Sequence, residues 1–167
     1  MAGVEFASPT VGLWLGPDDF LRLASDLPRY LTAELRPAAE ASARLGYPVG
    51  RLEDVQIQFQ HYRSFEGARS AWERRSRRVR LDDVVLVFTD RDGCDAGHLD
   101  RFDALPFRKI AFTARAGGPP STVLVEAYRG QPCVGDLASN WGKLEPALTA
   151  ERIRRLFGPP AFVAGQP

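Results

Sequence analysis

Between Asp82 and Thr113 the chain passes from an apolar stretch, DDVVLVFTD, through an amphipathic one, AGHLDRFDAL, into a second apolar stretch, KIAFT. Two apolar strands separated by a helix of this length pair side by side and run parallel, because the crossover packs back on the sheet. The Val-Val-Leu-Val-Phe run has no polar break, so the first strand is expected to be buried on both faces, as in a parallel sheet. That βαβ unit excludes most alternatives and makes the chain an α/β protein.

The remaining pattern extends this order. DVQIQFQ alternates strictly, with Val55, Ile57 and Phe59 on one face, and predicts a strand. TVGLWL (10–15) reads as a short buried strand. Pro17 followed by Asp18 and Asp19 starts a helix that breaks at Pro28 and resumes through RYLTAEL. PAAEASARL predicts a further helix ending at Gly46, with Pro48 forbidding its continuation. Ser64 caps a helix of about four turns. After KIAFT come the loop AGGPPS, the strand TVLVEAY and a last helix, TAERIRRLF, capped by Thr149. The expectation is one α/β domain over residues 1–157. It is a Rossmann-like three-layer arrangement with a mostly parallel sheet flanked by helices, followed by a Pro/Gly-rich tail over 158–167.

Composition narrows the classes of function. The formal net charge is +1 over 167 residues, which argues against broad nucleic-acid binding. No apolar run is long enough for a bilayer, and MAGVEFASPT lacks a signal core, so the expected location is the cytoplasm. Cys94 and Cys133 are too few and too far apart for a disulfide scaffold or a zinc motif.

In open parallel sheets, ligands bind beyond the carboxyl ends of the strands. Those ends are polar here. DVQIQFQ is followed by His61, Tyr62, Arg63 and Ser64; VVLVFT by Asp90, Arg91, Asp92 and Cys94; KIAF by Thr113 and Arg115. If the three strands are parallel, all three groups lie along one rim. Histidine suits general-base work near neutral pH, and equally the satisfaction of a local backbone group.

Residues 61–80, HYRSFEGARSAWERRSRRVR, contain seven arginines. At about 100° of turn per residue, Phe65, Ala68, Trp72, Ser76 and Val79 form the inward stripe, Arg75 falls on its edge, and Arg74 and Arg78 point to solvent. Most of the run is a solvated face. Arg75, beside the core stripe, and Arg63, before the N-terminus of the same helix, suit a carboxylate or phosphate through their planar donors.

In TDRDGC, Asp90 and Asp92 have the spacing of a DxD element, which lets two carboxylates hold Mg²⁺ or Mn²⁺ against a diphosphate. The competing reading is an Asp-Gly turn, with Asp92 or Asp95 capping the next helix. Walker, dinucleotide, G-x-S-x-G and HExxH motifs are absent from the sequence.

Four segments together, SPTVGLWL, YPVGRLEDVQIQFQHYRSFEGARSAWERRSRRV, FTDRDGC and FDALPFRKIAFT, resemble the bacterial domain-of-unknown-function family numbered 1919, from about Ser8 to Thr113. The family pattern falls on His61, Tyr62, Ser64, Arg75, Asp90, Asp92, Cys94 and Lys109, among others. The resemblance implies an α/β protein of exopolysaccharide or capsule biosynthesis. It also implies an upstream strand and polar loop, which this sequence is expected to lack; exposed edges left by such a loss invite a homo-oligomer.

The functional expectation is a transferase acting on a phosphorylated or nucleotide sugar. His61, Asp90 and Asp92 are its catalytic candidates, and Tyr62, Arg63, Ser64, Arg75, Cys94, Thr113 and Arg115 its substrate-binding candidates. The alternative is a non-catalytic glycan- or protein-binding subunit of polysaccharide machinery.

Overall fold

The computed structural model describes residues 8–136 and 139–157, and the 158–167 tail lies outside them. The chain groups into two compact units, residues 1–84 and 85–167.

The first unit is built on an antiparallel sheet. Pro17 opens α1 (Pro17–Ser25), and Asp26 caps α2 (Leu27–Thr32), so the break near Pro28 lies where its missing amide does no harm. The chain then forms β1 (Leu35–Pro37), where sequence had continued the helix. α3 (Ala39–Leu45) ends at Gly46, whose φ of 78° supplies the left-handed C-terminal turn. β2 (Val49–Leu52) and β3 (Val55–Gln58) follow, in the order β1-β2-β3. The TVGLWL segment contributes only Trp14, which exchanges two 2.9 Å backbone bonds with Gln58. Gly16 and Pro17 follow too closely for a longer strand.

The sheet is antiparallel throughout, which corrects the expectation that β3 joins a mostly parallel sheet. The two-residue link Glu53–Asp54 turns the chain directly from β2 into β3, and such a link can only connect antiparallel neighbours. Arg22 and Tyr30 fasten this turn. Arg22 donates to the Asp54 carbonyl at 3.1 Å, and the Tyr30 hydroxyl to the Asp54 carboxylate at 2.8 Å. Arg29 pairs with Glu53, the residue held at φ 52°. The Tyr30 bond, with Arg22 and Arg29 nearby, holds the Asp54 carboxyl below its usual range.

Leu35, Val49, Leu52, Val55, Ile57, Phe59 and Trp72 are buried in this unit. α4 (Phe65–Ser76) presents Ala68, Trp72 and Ser76 inward, as its periodicity predicts, and Ser64 accepts from the Gly67 amide at 3.2 Å.

The second unit carries the parallel strands. β4 (Val85–Thr89), β5 (Arg108–Thr113) and β6 (Thr122–Leu124) lie in that order, with α5 (Ala96–Asp103) crossing from β4 to β5. Phe102 of α5 stacks on Phe88 at 5.1 Å between centroids. The opposite face, through Ile110, Phe112 and Val123, joins a core with Leu144 of α6 (Trp141–Leu144) and Leu156 of α7 (Ala150–Phe157). Thr149 caps α7 by accepting from Arg152. β4 alternates instead of being buried on both faces, because it is an edge strand and Val87 is 55% exposed.

Among the described residues no helix is long and apolar enough to cross a membrane. A Cβ added at Gly50 would lie 2.7 Å from Leu35 Cδ1 and 3.1 Å from Phe59 Cε2, both side chains being fully packed. Gly50→Ala is expected to lower unfolding free energy by about 1–3 kcal/mol in urea titrations, through overpacking.

Candidate functional site

The structure sorts the candidate residues into two clusters, one in each unit. In the second unit, the parallel pairing of β4 with β5 brings Asp90, Cys94, Thr113 and Arg115 together. Asp90 is 2% exposed and its oxygens are engaged. Oδ2 accepts from the Thr113 hydroxyl and the Ala114 amide, both at 2.8 Å; Oδ1 accepts from the Val134 amide at 2.8 Å. The Thr113 hydroxyl in turn accepts from the Arg115 amide at 2.9 Å. Burial of these donors without an acceptor is costly, so Asp90 is explained as a structural latch. Its aspartate joins the end of β4 to the end of β5 and to the segment around Val134.

That geometry bears on the paired-acid reading. An ion held by Asp90 would take its oxygens from three donors that have no water to turn to. Asp92 is exposed and left-handed (φ 57°), as is Gly93 (φ 84°), and the Cys94 amide closes their turn on the Arg91 carbonyl at 3.0 Å. Asp and Gly are the residues that tolerate this backbone. The donor set therefore does not fit an ion held between Asp90 and Asp92. Among the described residues no group of three His, Cys, Asp or Glu is placed to hold a metal.

Neighbouring residues have local tasks too. Burial, with Asp90 and Asp95 nearby, pushes the Cys94 thiol up to about 11, so it stays protonated near neutral pH. Arg115 donates to the Pro132 carbonyl at 3.0 Å. Asp95 caps α5 reciprocally with His98, accepting from its amide at 2.9 Å, which explains His98 as structural. Lys109 donates to the Leu105 and Phe107 carbonyls, closing the turn from α5 into β5.

In the first unit, His61 and Arg75 meet the turn at Val11 and Gly12. Arg75 donates to the Val11 carbonyl at 3.0 Å, and a Cβ on Gly12 would lie 3.8 Å from His61 Cδ2. His61 and Arg63 are exposed. Tyr62 is half-buried, its ring edge-on to Phe59 at 5.8 Å. Arg63 makes no hydrogen bond or ion pair with another described residue.

Sequence reasoning missed a groove of about 790 Å³ in the first unit, lined by Arg36, Arg44, Arg51, Glu40 and Gln56 among others. The signal lay in the β1–β2 register, which opposes Arg36 to Arg51, but both strands were hidden in a stretch read as helix and loop.

The chain belongs to the family described as Domain of unknown function (DUF1919). Its model matches residues 1–148. Both candidate clusters and the groove fall within that span. A Haemophilus influenzae protein described as "Uncharacterized protein" is 37% identical over 134 residues, covering 79% of this chain. The match takes in 64% of that relative's length.

Replacing Asp90 tests the latch. Asp90→Ala strands three buried donors and is expected to cost about 4 kcal/mol in denaturant titrations, whereas Asp90→Asn, retaining one acceptor oxygen, costs about 2 kcal/mol.

Proposed function

We propose that the chain serves the assembly of an exopolysaccharide or capsule and recognises a phosphate-bearing sugar at the loop entering α4. The observation that carries this reading is the exposed guanidinium of Arg63, without a partner among the described residues. It stands two residues after His61 and directly before the cap of a twelve-residue helix. A planar cation and the positive end of a helix dipole favour the same anionic group. Arg75 stiffens the loop opposite by holding the Val11 carbonyl.

In its specific form the proposal is a sugar transfer in the cytoplasm. The acceptor hydroxyl oxygen attacks the anomeric carbon of the donor, and the bond from that carbon to the phosphate oxygen breaks. The leaving phosphate keeps the electron pair and rests on Arg63, while the hydroxyl proton passes to the His61 imidazole. One observation favours a second reading, a non-catalytic subunit that binds glycan or protein. Asp90, one of the three catalytic candidates, has its oxygens occupied by Thr113, Ala114 and Val134.

Melting curves with a panel of nucleotide sugars, with and without Mn²⁺, test the binding. A ligand of the native state raises the melting temperature, by mass action. The proposal expects such a rise, lost in Arg63→Ala. Release of nucleoside diphosphate that falls at least tenfold in His61→Ala supports transfer; binding without release supports the second reading. No shift with any donor at millimolar concentration contradicts recognition of a phosphate-bearing sugar at this loop.

A further inference from the structure

The groove in the first unit lies between two walls, each carrying arginine and glutamate. One is the solvent face of the sheet, where register places Arg36, Arg51 and Gln56 in a row across β1, β2 and β3. The other is α3, held against β2 by Ser42, whose hydroxyl accepts from the Val49 amide at 2.9 Å and donates to the Ala38 carbonyl at 2.9 Å. Its volume of about 790 Å³ lies within the range of small-molecule sites.

Arg36 and Arg51 are directly opposed, with Cβ atoms about 5 Å apart by ordinary sheet geometry, an arrangement that destabilises a sheet when the charges are alike. Arg36 is answered by Glu34 at 2.9 Å. Arg44 and Arg51 have no hydrogen bond or ion pair with a described residue, and Arg51 adds only a distant pull on Asp19. The fold thus places two arginines side by side along a formed groove and leaves Arg51 without a hydrogen bond or ion pair among the described residues. Beside them, the Glu40 carboxylate and the Gln56 side-chain amide offer acceptors to hydroxyl groups.

We propose that this groove is a second binding site, taking a hydroxylated ligand that carries a carboxylate or a phosphate, the chemistry of an acidic saccharide. The guanidinium groups of Arg51 and Arg44 hold the acidic group through paired N–H donors, and Glu40 and Gln56 accept from the hydroxyls. The glutamates along the groove disfavour a dense polyphosphate. The site is independent of the reading at α4.

Amide resonances of the ¹⁵N-labelled full chain, titrated with trigalacturonate, its neutral trimethyl ester and glucose 6-phosphate, test the proposal. Saturable shifts of Arg51, Gln56 and Ala41 are expected with at least one acidic sugar and not with the ester. Binding of trigalacturonate alone assigns the anion as carboxylate, and of glucose 6-phosphate alone as phosphate; either result supports the site. Arg51→Gln and Arg44→Gln are each expected to weaken binding at least tenfold, while Arg63→Ala leaves it unchanged, which separates this site from the one at α4. Without ligand, Arg51→Gln keeps or raises the melting temperature, because the opposed charge is gone. Equal binding of the ester, no shift with either acidic sugar, affinity unchanged in both arginine variants, or a melting temperature several degrees lower in Arg51→Gln would each overturn the proposal.

Discussion

A buried carboxylate organises the carboxyl end of the parallel sheet. Asp90 is almost fully enclosed, and it serves donors from two segments distant in sequence, at Thr113–Ala114 and at Val134. An acceptor-only group with two oxygens is the one kind of side chain that answers three inward donors at once. The turn through Asp92 and Gly93, the enclosure of Cys94 and the position of Arg115 follow from where this residue sits. In folds of this type the same rim is where ligands bind, so a structural aspartate there is easily mistaken for a reactive one.

The first unit depends on a different device. A two-residue turn with one left-handed non-glycine residue is held by side chains from α1 and α2, which put Arg22, Arg29 and Tyr30 around Glu53 and Asp54. The turn fixes the β2–β3 register, and register decides which face of the sheet carries Arg51 and Gln56. Burial, the first influence on Asp19, raises its carboxyl above the usual value, while the Gln56 amide and Arg22 pull it down. The place of Arg51 beside Gln56 on the groove's sheet wall is a consequence of that register.

Much of this was legible in the sequence where local signals were strong. Pro17 with its acids, Ser64, Gly46 and Thr149 each mark a helix end for a local reason, and the alternation at Val55, Ile57 and Phe59 marks β3. The βαβ unit follows from two apolar runs and the helix between them. What was not legible depends on partners distant in the chain. β1 has three residues and ends in Pro37, tolerable on an edge strand but a poor strand signal. β2 contains Gly50 and Arg51, and its reason for Gly50 is the nearby Leu35 side chain. Asp90 looked like half of an acidic pair because spacing records neither burial nor the donors that Thr113, Ala114 and Val134 bring to it. The arginines of α4 read correctly by periodicity, whereas those of the groove had no periodic element to place them.

Asp90 serves the parallel sheet as a latch in place of an ion ligand. The most direct measurement follows the amide resonances of Ala114 and Val134 while Mg²⁺ is added to the native protein. With the carboxylate latched, both amides exchange slowly with solvent and keep their chemical shifts up to millimolar Mg²⁺. Saturable movement of both resonances, with faster exchange, would show the carboxylate turning from its donors to the ion and would contradict the latch.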